Sequence, residues 1–299
     1  MKGKNVMKNK ISGKIVALLL TLIIVATSGM PLYAKETGDK ANSFRYENGQ
    51  SIAKAVPFST LSPNAWKKID GKYYSGDGSV IEGAVAKGID VSHHQGTVDW
   101  KKAKEDGVEF AIIRCGFGMN QTKQDDAQWF NNVKGCEENN IPYGVYLYSY
   151  ADTVKKAQSE AEHVLRLIKG HTLAYPVYYD IEEKAVLNKL TAEQLGKIAA
   201  TFVNKVKAEG YQTGIYSNKS NFETFLTDSQ FSQWNKWVAQ YNSAACTYKG
   251  TYQIWQAADT GTIDGVNGAV DINFAMKTTS SSDNNPGTST EKPATSATK

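Results

Sequence analysis

Short apolar runs of strand length alternate with stretches of helical periodicity between residues 87 and 277. The runs predict strands at 88–92, 110–116, 143–149, 176–181, 213–217, 236–241, 252–256 and 270–274. Residues 153–169 set Ala157, Ala161, Val164, Leu165 and Ile168 on one stripe. Thr191 and Gln194 open a second helix with near-capping-box chemistry, ahead of Leu195, Ile198, Ala199, Phe202, Val203 and Val206. Gly170 and Gly210 follow where left-handed caps belong. Repeated strand-helix units predict parallel pairing with right-handed crossovers, and eight strands predict an α/β fold of the (β/α) barrel type. Roughly 190 residues is short for eight full units. Little between the last three strands has helical character, so the barrel is expected to be irregular at its C-terminal side.

The flanks differ in kind. Lys2, Lys4, Lys8, Lys10 and Lys14 precede an uncharged run from Ile15 to Val25, followed by Gly29, Pro31 and Ala34. That order predicts a signal peptide over 1–34, cleaved after Ala34. The alternative is a retained anchor, since the 20 residues between Lys14 and Lys35 carry no charge. Residues 35–86 form a leader in which Trp66, Tyr73 and Tyr74 flank Asp70-Gly71 and Asp77-Gly78, the pattern of a small aromatic β-hairpin. It is similar to one copy of the aromatic repeats by which some secreted proteins hold cell-wall polymers. A single copy cannot stack into a solenoid, so the leader is expected to pack on the domain that follows. Residues 278–299 are rich in Ser, Thr, Pro, Asn and Gly and are expected to be a disordered tail. The folded domain is thus 87–277.

At 299 residues and 41% hydrophobic, the chain is not disordered throughout. Its formal charge of +4 suggests an anionic partner, but loss of 1–34 removes five lysines and no acid, leaving −1. Nucleic acid is therefore not an expected partner. Cys115, Cys136 and Cys246 are too few and too scattered for a disulfide framework.

Acids fall at the expected strand ends, where barrels of this kind place their chemistry. They are Asp90, the Asp180-x-Glu182 pair, and Asp271. Buried carboxylates between apolar neighbours cost several kcal/mol unless paired, on the order of magnitude set by desolvation. Residues i and i+2 of a strand share a face about 6.5 Å apart, so Asp180 and Glu182 face together while Glu183 turns away. Like charges crowded together raise one pKa, which supplies a protonated acid beside an anion. His93 and His94 could share one metal ion only if their segment has left the strand. Asp99, Asp125-Asp126 and Asp264-Gly265 read as turns, caps or solvated charge, and His163 and His171 lack a catalytic setting.

The stretch from Lys87 to Trp100, KGIDVSHHQGTVDW, resembles the opening motif of glycoside hydrolase family 25, the secreted lysozymes. Five further motifs follow in order: 143–149 (YGVYLYS), 178–182 (YYDIE), 237–241 (WVAQY), 254–256 (IWQ) and 270–273 (VDIN). The resemblance implies a flattened, incomplete β/α barrel and cleavage of the β-1,4 bond between N-acetylmuramic acid and N-acetylglucosamine. It implies Glu182 as general acid/base, Asp180 as its partner carboxylate, and Asp90 and Asp271 as flanking acids. Asp180 would either stabilise the oxocarbenium-like charge, directly or as nucleophile, or hold the substrate's 2-acetamido group while its oxygen attacks. Tyr146, Tyr148, Tyr179, Trp255, His94 and Gln95 are the expected substrate-binding residues. Peptidoglycan strands are the expected partner of a secreted monomer, with no cofactor, no metal, and no membrane contact once the signal is cleaved. Two rival readings are a glycan-binding barrel without chemistry and a metal-dependent polysaccharide deacetylase using Asp90, His93 and His94.

Overall fold

The computed structural model describes residues 46–47, 50–51, 61–241 and 243–277. The expected signal peptide 1–34, most of 35–60 and the expected tail 278–299 lie outside the described residues.

Eight strands close a barrel in chain order: β1 (Ala84–Val91), β2 (Phe110–Phe117), β3 (Tyr143–Tyr148), β4 (Val177–Asp180), β5 (Thr213–Asn218), β6 (Asn235–Ala239), β7 (Ile254–Gly261) and β8 (Val270–Met276). Pairing is parallel from β1 through β7. The expected parallel pairing ends at β8, which runs antiparallel to both β7 and β1 on the side where irregularity is expected. Its physical reason is length: a parallel return takes roughly a dozen residues or more, and the 262–269 connection is shorter. Gly265 and Gly268 turn it at φ values of 88° and 85°.

Helices α1 (Trp100–Glu105), α2 (Trp129–Glu138), α3 (Val154–Ile168), α4 (Lys184–Leu187), α5 (Ala192–Ala208) and α6 (Lys219–Thr224) fill the connections up to β6. Local chemistry sets their ends. Thr153 caps α3 by accepting from Lys156 N, and Thr191 and Gln194 complete a reciprocal box on α5. Asp99 caps α1 by accepting from Lys102 N at 3.2 Å. Among the described residues no helix lies between β6 and β7 or between β7 and β8, which is the irregularity expected on that side. None is long and apolar enough to cross a membrane.

Alternation along the strands divides the core in two. Outward residues such as Ile89, Ile113, Val145 and Leu147 pack with the helices. Inward residues Phe110, Ile112, Tyr178, Tyr216, Trp237 and Ile254 fill the barrel. Trp237 is the hub of this plug, with ring centroids of Tyr216, Tyr178 and Tyr146 at 4.3, 5.4 and 5.7 Å. Space for it comes from glycines: a Cβ on Gly88 would stand 2.5 Å from the Phe110 ring, and one on Gly214 2.6 Å from Tyr178.

The leader covers part of the face that helices leave open. Strands Lys68–Ile69 and Lys72–Tyr73 pair across Asp70-Gly71, both at positive φ (49° and 76°), the geometry of a type I′ hairpin. Tyr73 and Trp66 lie against the outward ring of Phe274 at 5.7 and 6.2 Å. Tyr73 OH donates to Val85 O (3.1 Å) and to Glu109, which also pairs with Lys68 Nζ at 2.7 Å. The three cysteines are free thiols, and burial pushes those of Cys115 and Cys136 far up.

Candidate active site

The plug ends below the mouth formed by the C-terminal ends of the parallel strands. Asp90 is the last inward residue of β1, and Asp271 lies opposite it near the start of β8. The sequence pattern puts Asp271 at a strand's C-terminal end, whereas it lies near the start of β8. It reaches the same mouth because β8 runs the other way, so its beginning lies where its neighbours finish.

Two amides order these acids. Gln256 Nε2 donates to Asp90 Oδ2 at 2.7 Å and to Asp271 Oδ2 at 3.2 Å. Its oxygen accepts from Tyr216 OH (2.7 Å) and Tyr241 OH (2.6 Å), which fixes which way the amide points. Asn273 Nδ2 donates to Asp90 Oδ2 at 2.8 Å, while its oxygen accepts from Trp237 Nε1 at 2.8 Å. The aromatic plug therefore sets the amides, and the amides set the carboxylates.

Asp180 ends β4 beside Tyr148 of β3 and Tyr216 of β5. Glu182 follows just past the strand, and both acids are buried. Tyr146 interacts electrostatically with both acid groups. Burial raises its phenol well above the ordinary range; Arg114 opposes this, and the charges of Asp90, Asp180 and Asp126 add to it. Tyr148 is raised likewise, by burial first and then by Glu182, Glu183, Tyr150 and Asp180. Its hydroxyl donates to Glu183 Oε2 at 3.2 Å. Glu183 turns from the pair to cap α4 through Ala185 N, and burial raises its own carboxyl.

Two expected substrate contacts, Tyr179 and Trp255, do not reach the mouth. Tyr179 has no exposed surface and stacks on Phe202 of α5 at 4.0 Å. The parity that turns Asp180 inward turns Tyr179 outward. Trp255, also 0% exposed, points to the outer layer, with Nε1 donating to Gln240 O at 2.9 Å; its neighbour Gln256 takes the inward position. Gln95 closes a capping box with Ser92, accepting from its N at 3.0 Å. His94 is half-buried on the same turn, its ring centroid 4.2 Å from that of His93 and tilted 34° to it. Half-buried rings that do stand at the mouth are Tyr146, Phe117, Tyr150 and Tyr241, with Phe117 and Tyr150 edge to face at 6.4 Å.

Beside Asp90 lies a second charged group. Asp126 is buried, not solvated as its Asp-Asp setting suggested, because Arg114 Nε (2.8 Å) and His93 N (3.0 Å) both donate to its Oδ2. Burial pushes its carboxyl up, but His93 and Arg114 outweigh that and bring it down to about 2. Asp125 binds His163 Nε2 at 2.7 Å and Arg166. A cation within the apolar run 110–117 was the available signal for Arg114. The His93 ring is turned to Arg114 and Asp126 while Asp90 faces Gln256 and Asn273. Among the described residues no group of three or more His, Cys, Asp or Glu is arranged to hold a metal ion.

Comparison with known proteins points the same way as the motifs. Residues 89–266 match the family model described as Glycosyl hydrolases family 25. The uncharacterized protein YegX of Escherichia coli is 31% identical over 193 residues, covering 62% of this chain and 68% of that protein. The autolytic lysozyme of Clostridium acetobutylicum is 27% identical over 186 residues, 62% of this chain and 54% of that one. In structure, the modular autolysin LytC of Streptococcus pneumoniae, solved with a synthetic peptidoglycan ligand, superposes with a TM-score of 0.63 at 27% identity. That match takes in 78% of this chain, which spans 60% of the LytC chain.

Proposed function

The chain belongs to glycosyl hydrolases family 25, and on that footing we propose that it is an exported peptidoglycan hydrolase cutting the β-1,4 bond between N-acetylmuramic acid and N-acetylglucosamine. Glu182 is the general acid/base: it gives its proton to the leaving oxygen as the anomeric carbon becomes oxocarbenium-like. Asp180 holds the substrate's 2-acetamido group so that its oxygen attacks from the opposite face. The result is retention of configuration. Asp90 and Asp271 orient the sugar and the pair. The enzyme works as a monomer outside the membrane, on glycan strands and not on nucleic acid.

The observation that carries this reading is the convergence of Asp90, Asp271, Asp180 and Glu182 on one barrel mouth, ringed by half-buried tyrosines that offer flat faces to sugar rings. The peptidoglycan ligand of LytC and the lytic role named for the clostridial relative support the choice of polymer. The test is digestion of purified peptidoglycan followed by borohydride reduction. New reduced muramic acid ends are expected; reduced glucosamine ends would make the enzyme a glucosaminidase, and no new ends would end the proposal.

A further inference from the structure

Glu160, on α3, is an acid that the proposed reaction does not use. It is 0% exposed, between the helix and the sheet. Its Oε2 accepts from Tyr179 OH at 2.5 Å and Ser149 Oγ at 2.8 Å, and its Oε1 accepts from Tyr150 N at 2.9 Å. All three donors belong to the strand ends that build the mouth. Tyr179 immediately precedes Asp180, and Ser149 immediately follows Tyr148. The two ends are also joined directly, since Ser149 N donates to Asp180 O at 3.0 Å. Stacking on Phe202 limits the Tyr179 ring from its other side.

An ionisable group here is an expensive choice. Burial pushes Glu160 up to about 7, against the opposing pull of Tyr179, Ser149, the Tyr150 N–H and Lys156. A glutamine would fill the same space without a charge and keep the bond from Tyr150 N, but it would exchange the two charge-assisted bonds from Tyr179 and Ser149 for weaker ones donated by its own amide, which force both hydroxyls to turn. A neutral isostere avoids the desolvation cost that a buried carboxylate carries. Packing alone therefore does not require the acid, and its grip on two strand ends suggests what does.

We propose that Glu160 is a positioning residue: by holding Tyr179 and Ser149 from behind the sheet, it fixes the direction in which Asp180 and Glu182 project into the mouth. The inference rests on the roles given to Asp180 and Glu182 above. It acts through geometry, because displacements near 1 Å can cost about a hundredfold in rate.

The test compares Glu160→Gln with wild type by peptidoglycan digestion, thermal melting at pH 8, and carbon-13 NMR of the Asp180 and Glu182 carboxyls. Expected are a fall in kcat of about tenfold or more with KM within about twofold, a melting temperature at pH 8 no lower than wild type, and displaced carboxyl resonances. Tyr179→Phe, which removes one donor, should give part of the same kcat loss with KM again unchanged. It carries the test if the glutamine variant does not fold. Unmoved resonances with unchanged kcat would overturn the proposal, as would a kcat loss that merely tracks the unfolded fraction. If wild type releases no ends from peptidoglycan, the functional reading fails, and the resonances alone decide the role of Glu160.

Discussion

Asp271 stands opposite Asp90 across the β8–β1 seam, and a single amide nitrogen, Gln256 Nε2, donates to a carboxylate oxygen of each. Residues 181 positions apart in the chain are thereby set by one side chain, which the hydroxyls of Tyr216 and Tyr241 orient in turn. Gln256→Glu keeps the shape but puts a third carboxyl between the two acids. Three such groups cannot all ionise at that range, so the variant holds an extra proton that it must lose as pH rises. Its melting temperature should fall further below wild type at pH 8 than at pH 5; a deficit independent of pH would refute the account.

Removing the proton donor tests the core of the proposed chemistry. Glu182→Gln should keep the wild-type melting temperature within a few degrees and lower kcat at least about a hundredfold, the low end for general acid catalysis. Rates of reducing-end release from cell walls measure it. Activity near wild type would remove Glu182 from the assignment.

Substrate contacts should divide by face. Tyr150→Ala, at the mouth, is expected to raise KM about tenfold, the equivalent of about 1.4 kcal/mol of lost contact. Trp255→Phe, in the outer layer, should lower stability through loss of its bond to Gln240 O while KM stays within about twofold. Steady-state kinetics on soluble glycan fragments distinguish the two, and the opposite order would restore Trp255 to the groove.

Acid sensitivity has a local source in Asp126. Its folded carboxyl is brought down to about 2 by His93 and Arg114 against the upward push of burial, below the ordinary value of 3.8. A lowered carboxyl contributes stability that is complete above the ordinary value and is lost as pH falls through the folded one. The window is therefore pH 4 to 2, with up to about 2 kcal/mol at stake. Urea titrations across that range should show a shallower decline for Asp126→Asn than for wild type.

The leader's contribution can be measured at Tyr73, which is buried against Phe274 and bonded to Val85 O and Glu109. Tyr73→Ala should cost about 3 to 5 kcal/mol, in line with large aromatic truncations. Denaturant unfolding with kcat per folded molecule unchanged is the expected result.

Periodicity made most of the barrel legible, because alternation and helical stripes both report a face turned from water. Asp180 and Glu182 could be paired by the same logic, and their opening motifs read in order along the chain. What stayed hidden depended on direction or phase. The reversal of β8 was available from the shortness of 262–269, but strand content alone does not reveal it. The chemistry of Tyr179 and Trp255 suggests the groove, although an aromatic suits the helix layer equally well and the parity of Asp180 turns Tyr179 away. Arg114, Asp126 and Gln256 acquire their roles only when distant strands close, since each is defined by partners that local spacing does not show.

The plug around Trp237 has a final consequence. With Phe110, Tyr178 and Tyr216 filling the interior beneath Asn273, the barrel is a cup and not a pipe. A long polymer has no passage through it and can engage only from the rim. Both fragments then leave from the side on which the intact strand arrived.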